Sequence, residues 1–505
     1  MLQKTGFDND LYLREQTDAI IDRIQKFDNK LYLEFGGKLL FDHHAARVLP
    51  GFDPNVKMRL LKRLKDKADI ILCIFAGDIE RKKVRADFGI TYDSDALKLI
   101  DDLKERGITI TAVVITRFDD QPAAKVFKNK LQHRGINVYV HRYTKGYPTD
   151  VDLIVSDEGY GANEYIETRN QLVVVTGPGP GSGKLATCLS QLYHEHKQNI
   201  NAGYAKFETF PIWNIPLKHP VNIAYEAATA DIQDFNQIDP FHLEAYQETA
   251  INYNRDVEVF PVVRRILERI SGEKSMYNSP TDMGVNKAGF AIVDDSAVQS
   301  AARQEIIRRY LRYSCEYKLG FVDQETVQRV ELLMKEMNID LNERSVIADA
   351  RAAALEAEQK QAGHDGIFCG AAICLKDGTV ITGHNSPLMH AASSLVIKAV
   401  KHLSDIPQKI HLLPQNIIES ISQFKKMTLK SKNTSLNLDE ALIALSISAM
   451  SNSAAQLAIE KIPGLKGCEM HITHIPTRGD EEGLRKLGIN VTSDANFPSN
   501  DLFIV

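Results

Sequence analysis

The sequence predicts an α/β protein in three parts: a parallel-sheet domain over 1–225, a helical domain over 226–360 and a second α/β domain over 361–505. Three observations predict it. Between about 35 and 210, apolar runs of strand length alternate with amphipathic stretches of helical length, the pattern of right-handed βαβ units. From 226 to 360 the strand-like runs give way to apolar residues at spacing four. From about 366 strands and helices resume, opening with a hairpin. The 505 residues also fit about three domains at roughly 150 residues each.

The elements follow in order. LYLEFGGKLLFD (31–42) predicts two short strands around Gly-Gly, and VKMRLLKRLKDK (56–67) a helix. ADIILCIFAGD (68–78) is a continuous apolar run closed by Gly77, as a doubly covered parallel strand requires. A helix over 93–106 with Asp93 or Ser94 as cap precedes strand 108–118, and helix 121–135 precedes strand 137–143. VDLIVSD (151–157) and QLVVVTG (171–177) predict two more strands, and KLATCLSQLYHEHK (184–197) the helix after the second. Farther on, 244–270 predicts helix with a turn opened by Pro261. Val298, Ala302, Ile306 and Tyr310 define a helix over 296–318, and Asp323 caps the next. ARAAALEAEQKQAG (350–363) is a solvated helix or linker. GIFCGAAICL and TVITGHN flank a Lys-Asp-Gly turn, followed by a helix over 390–403. A long, largely buried helix is expected over 439–462. Strands 468–476 and 489–494 should flank the helix RGDEEGLRKLG.

Composition excludes several classes. With 66 acids against 61 bases the formal charge is −5, so no cationic excess exists for a nucleic-acid backbone. No apolar run reaches the roughly 18 residues that span a bilayer. The first residues, MLQKTGFDNDLYLREQ, lack the apolar stretch of a signal peptide, so a cytoplasmic location is expected. The six cysteines form no CxxC pair, which argues for buried free thiols in a reducing compartment and against a zinc ribbon.

The strongest functional signal is VVVTGPGPGSGKLAT (173–187). A phosphate needs bare backbone amides, a helix N-terminus aimed at it and a cation. Gly177, Gly179, Gly181, Ser182 and Gly183 would line it and Lys184 would supply the charge. The segment resembles a Walker A loop, G-x-x-x-x-G-K-[ST], with two departures. Gly177 sits one residue early, and Leu185 replaces the magnesium-holding Ser/Thr. Thr187, about one helical turn along, is the nearest substitute. The competing explanation is a Gly-Pro turn that only joins strand to helix.

Ligands of open parallel sheets sit at the carboxyl ends of the strands. Those ends should carry Asp78, Arg117, Asp119, Arg142 and Asp157 beside the glycine loop. The carboxylates could hold magnesium and the arginines a phosphate, although Asp and Gly also favour strand ends as plain turn formers. Among other polar clusters, His43 and His44 are adjacent and point to opposite faces if extended. HEH (194–196) lacks zinc spacing and suits a surface helix end. SPTDMGVN (279–286) suits a turn or a substrate loop. The arginines at 264, 265 and 269, and at 308, 309 and 312, suit a solvated face.

GAAICLKDGTVITGHNSPLMHAASSLVIKAVKHL (370–403) resembles the core of the cytidine deaminase fold. The helix opens His390-Ala391-Ala392, so the Glu of a zinc deaminase is absent, and so is the later Cys pair. No zinc is expected. His384, Asn385 and His390 could still line a cleft. Over its whole length the chain resembles a family of bacterial proteins of about 500 residues and unknown function. The resemblance rests on TGPGPGSGKLATCLSQLYHE, SPTDMGVN and ITHIPTRGDEEGLRKLGINVTSD. It implies a cytosolic bacterial protein. The label ATP-dependent peptidase, which some members carry, finds no HExxH, G-x-S-x-G or Ser-His-Asp arrangement here.

These readings combine into a Rossmann-like or P-loop-like domain, a helical domain and a deaminase-like domain. The expected function is an enzyme that binds a nucleotide such as ATP, or another phosphorylated small molecule, with magnesium. Lys184, Asp119 and Asp157 would be its catalytic groups. A non-catalytic ligand sensor and an oligomeric scaffold with vestigial sites are the alternatives. The expected assembly is a homo-oligomer, a dimer by the commonest symmetry.

Overall fold

A computed structural model describes residues 5–27, 30–64, 68–85 and 89–499. The chain forms two compact units. One takes in residues up to Thr229 together with Asp234–Ala302; the other takes in Ala230–Gln233 and the chain from Arg303 onward.

The first unit is built on β1 (Leu31–Phe35), β2 (Ala68–Phe75), β5 (Ala112–Thr116), β6 (Val138–His141), β7 (Leu172–Thr176) and β8 (Gly203–Phe207). Between β2 and β5, β3 (Val84–Arg85) pairs with β4 (Ile90–Thr91) in a small antiparallel ribbon. The six main strands are all parallel, in the order β6-β5-β2-β7-β1-β8. Both faces are covered, which explains the continuous apolar runs. Successive side chains of β2 alternate between them. Ile71 and Cys73 pack with Cys188, Leu189 and Phe260 on one face, while Leu72 and Ile74 pack with Ala96 and Phe127 on the other.

Several elements depart from the sequence reading, and capping explains two of them. The second strand expected within 31–42 does not form. Asp42 instead accepts from the Ala45 amide at 3.2 Å and caps a helix, His43–Val48, so the two histidines open a helix. Likewise 151–157 is not a strand: Asp150 accepts from the Leu153 amide at 3.0 Å and caps the short helix Val151–Ile154. Pro261 lies inside the helix Asn254–Ser271, on its exposed side, where water can serve the carbonyl that proline leaves unpaired. The region read as mostly helical also holds a hairpin, β9 (Asn236–Ile238) with β10 (Ile251–Tyr253). The helix expected over 56–67 spans Val56–Leu64; residues 65–67 lie outside the described residues.

In the second unit, helix Gln324–Glu336 starts at the Asp323 cap as expected. Its sheet has the order β12-β11-β13-β14, with β11 (Gly370–Cys374), β12 (Val380–His384), β13 (Glu469–Ile472) and β14 (Asn490–Ser493). The hairpin β11–β12 is antiparallel, as is β11–β13, whereas β13 and β14 run parallel around helix Arg478–Lys486. The long helix expected over 439–462 is two, Leu438–Ser448 and Ser453–Lys461. Asn452 breaks it by accepting from the amides of Ala454 and Ala455. Helix Gln415–Met427 has no counterpart in the sequence reading.

Candidate functional site

The strand order puts β7 between β2 and β1, so the glycine loop leaves the middle of the sheet's carboxyl edge. Its backbone is tightly built. Gly181 and Gly183 have φ of +71° and +90°, the left-handed region that glycine enters without penalty. A Cβ on Gly183 would come within 2.7 Å of the Thr116 side chain, and one on Gly179 within 2.6 Å of the Tyr92 hydroxyl. The Thr116 hydroxyl donates to the Ser182 carbonyl at 2.7 Å and clips the loop to β5. Gly183 is the N-cap of helix Lys184–Lys197. Among the described residues, none accepts a hydrogen bond from the amides of Gly183, Lys184, Leu185 or Ala186. Lys184 folds back over the loop, with Nζ 3.4 Å from the Gly179 carbonyl and 3.5 Å from the Ser182 hydroxyl.

Of the residues expected around the loop, Arg117 comes closest. It follows β5, stacks its guanidinium 3.5 Å from the Phe75 ring centre and donates to the Gly181 carbonyl. Asp78, in the short helix after β2, is 2% exposed and paired with Arg81. Asp119 is exposed just beyond β5, and Arg142 is exposed at the end of β6, three strands from β7. Thr187 is not brought to the loop. It is fully buried, 3.4 Å from the Cys73 sulfur, and faces β2. Asp157 is not brought there either. Its carboxylate accepts from the Tyr193 hydroxyl at 2.7 Å, nine residues along the helix that Lys184 opens, or roughly 14 Å of helix axis. Burial pushes the Cys73 thiol up to about 12, which leaves it inert as a nucleophile.

On the other side of β7 the edge continues through β1 to β8. The pairings Glu34–Val175 and Phe35–Phe207 carry the register on to Gly177, Gly36 and Glu208, side by side. At roughly 4.8 Å per strand, Glu208 lies about 10 Å from the glycine loop. Gly36 leaves room for it, because a Cβ there would come within 2.3 Å of the Glu208 side chain. Here a cleft of about 430 Å³ opens between the end of β8 and residues 276–287. Lys206 at its floor contacts Asp256 at 2.6 Å, Glu208 at 3.2 Å and the Tyr253 hydroxyl. Burial pushes the Glu208 carboxyl up. Lys206 opposes this and Asp256 and Glu34 add to it, leaving the carboxyl at about 7.

SPTDMGVN forms one wall of that cleft. Ser279 and Asp282 make a capping box, and the Val285 amide donates to the Lys206 carbonyl at 2.8 Å, docking the segment alongside β8. Trp213 donates to the Asn286 carbonyl at 2.9 Å, and Asn286 donates to the carbonyls of Thr209 and Pro211. Sequence reasoning missed Lys206, Glu208, Trp213, His242 and Asp256. The one local signal was the pair Lys206 and Glu208, two residues apart and so on one face of a strand end.

The remaining clusters have structural partners. Glu195 of the HEH segment is fully buried against Lys30 at 2.5 Å and the Tyr32 hydroxyl at 2.7 Å, not at a surface. Arg308 and Arg309 are nearly buried and paired with Glu305, and Arg312 with Glu316, so this group is not a solvated face. In the second unit, Asn385 accepts from the Cys369 amide and His384 contacts the Asn385 carbonyl. His390 has both ring nitrogens engaged, by Asp480 at 2.6 Å and Asn433 at 3.0 Å. Among the described residues no group of three or more His, Cys, Asp or Glu is placed to hold a metal ion.

Fold and site together define an α/β protein whose parallel sheet bears a glycine-rich loop and a polar cleft on one carboxyl edge. The chain belongs to the DUF1846 family: the model for its N-terminal domain of unknown function matches residues 5–338, and that for its C-terminal domain matches 342–503. It is 56% identical over 501 residues to a UPF0371 protein of Clostridium botulinum (strain Loch Maree / Type A3), covering 99% of both chains. To a UPF0371 protein of Clostridium tetani (strain Massachusetts / E88) it is 55% identical over 500 residues, again covering 99% of both. The end-to-end resemblance to bacterial proteins of about 500 residues and unknown function is thereby borne out.

Proposed function

We propose that this protein is an enzyme that binds a nucleotide or another phosphorylated small molecule, with the phosphate seated at Gly177–Lys184. One observation carries the reading: a lysine and the open amides of a 14-residue helix converge at the centre of a parallel sheet's carboxyl edge. The helix terminus contributes about half a positive charge, and Lys184 adds a full one. Lys184 would offset phosphate charge in ligase-like or kinase-like chemistry. With Thr187 buried and Asp78 paired to Arg81, Asp119 is the carboxylate best exposed to reach a magnesium ion. The second unit, on this reading, keeps a deaminase-like sheet without deaminase chemistry. The six free cysteines fit a reducing cytoplasm, and among the described residues no helix is long and apolar enough to cross a membrane.

A sensor that holds the ligand without turning it over is the second reading, favoured by Leu185 where a Walker loop has Ser or Thr. Calorimetry with ATP and with inorganic phosphate tests the binding that both readings share. Lys184→Ala should weaken it by roughly 1.5–3 kcal/mol, the scale of a charge-assisted hydrogen bond, and leave circular dichroism unchanged. Equal affinity in wild type and variant overturns the phosphate reading. If binding holds, turnover of ATP separates enzyme from sensor.

A further inference from the structure

The cleft against β8 is a different kind of site from the glycine loop, and its chemistry is not that of an anion receptor. Four carboxylates line it, Asp22, Glu208, Asp256 and Asp282, and four cations offset them. The cation at its floor is also spent. Lys206 has three N–H donors, and Asp256, Glu208 and the Tyr253 hydroxyl take all three. What Lys206 does is hold two carboxylates in fixed positions.

We propose that this cleft binds an uncharged, hydroxyl-rich small molecule, a sugar or cyclitol, between Glu208, His242 and Trp213. A hydroxyl both donates and accepts, so it suits a site where acceptors and donors face each other. Glu208 keeps one carboxylate oxygen beyond the one that Tyr253 and Lys206 contact. His242, 8% exposed, has Nδ1 at 3.0 Å from the Ser279 hydroxyl, which leaves Nε2 as the ring atom for a ligand. Asn252 reaches the Thr281 hydroxyl only at 3.5 Å, a bond weak enough to exchange for a ligand hydroxyl. The indole of Trp213, with Pro211 and Ile251, supplies the apolar side that the C–H face of a ring requires.

Size and rigidity agree. A volume of about 430 Å³ lies at the small end of the roughly 300–1,000 Å³ range of ligand pockets. The wall carrying residues 279–286 is pinned by its capping box and by Asn286, so little ordering remains to be done on binding. The elevated Glu208 carboxyl is consistent with this role, since near neutrality it can accept from a hydroxyl or donate to one. The inference does not rest on the phosphate reading, although a hydroxyl acceptor about 10 Å from a phosphate loop is what kinase-like chemistry there would require.

Trp213 is the chain's single tryptophan and lines the cleft, so its fluorescence reports occupancy in the full-length protein. Glucose, N-acetylglucosamine, myo-inositol and inorganic phosphate are titrated in turn over the millimolar range. A saturable change is expected with at least one of the neutral polyols and none with phosphate. Glu208→Gln should weaken the polyol response at least about tenfold, the equivalent of one charge-assisted hydrogen bond. His242→Gln should weaken it too, and it carries the test alone if Glu208→Gln does not fold by circular dichroism. Lys184→Ala should leave the response unchanged, which keeps this result separate from the phosphate test. The inference is overturned if no polyol gives a saturable change, if folded Glu208→Gln or His242→Gln responds like wild type, or if phosphate alone gives the signal.

Discussion

At the scale of the residue, Gly183 and Gly181 show how alike two positions can look in sequence and how differently they are constrained. Both have positive φ, but an added Cβ meets Thr116 at 183 and nothing within 4 Å at 181. Gly183→Ala should therefore cost about 2–4 kcal/mol in urea unfolding, combining left-handed strain with overpacking, and Gly181→Ala only about 1–2. Similar losses at both positions would show that packing against Thr116 is not what matters. Glu208 makes a pH prediction. Its folded carboxyl titrates at about 7 against an ordinary 4.5, so the folded state holds this proton longer than the unfolded state. The stability it contributes is present below 4.5 and lost as pH rises to about 7. Melting temperature measured across that window should fall less in Glu208→Gln than in wild type; identical profiles would contradict the assignment.

At the scale of the element, strand and helix types were legible wherever apolar periodicity was long and unbroken. β2, β5 and β7 and the helix Lys184–Lys197 all lie where their patterns place them. Three of the misreadings share one cause. Asp42, Asp150 and Asn452 each offer a side-chain oxygen to free amides, and a cap of about 1 kcal/mol redirects a short segment whose apolar residues suit strand and helix alike. The hairpin in the second unit was legible for the opposite reason, since Lys376-Asp377-Gly378 between two strand-like runs leaves few alternatives and Gly378 takes φ +90°. The helix after that hairpin bears on metal binding. His390 at its cap is held by Asp480 and Asn433, with neither glutamate nor a cysteine pair to complete a zinc site. Elemental analysis of the purified protein should find no stoichiometric zinc; one zinc per chain located at His390 would contradict this.

For the whole molecule, the expectation is association. In helix Leu438–Ser448 and the turn after it, Ile443, Ile447 and Met450 recur at spacings of four and three, yet they are 61%, 49% and 88% exposed. An apolar stripe that its own unit leaves in water is a cost that a symmetric partner can remove. We expect a dimer by light scattering at micromolar concentration and a shift toward monomer in Ile447→Glu. A wild-type monomer would contradict it.

The sequence by itself determined the βαβ architecture of the first unit, the strand–loop–helix around Lys184 and the family. Each is written in contiguous residues, where periodicity and glycine spacing act locally. Only the tertiary structure decided which residues share a site. It turned Thr187 into the core and left Asp157 far along the helix that Lys184 opens. It also drew Lys206 and Glu208, Trp213, His242 and Asp256, and residues 279–286 into one cleft. These segments are separated by tens of residues and share no local pattern. What joins them is the position of β8 at the sheet edge, next to β1, set by burial of the sheet's apolar faces.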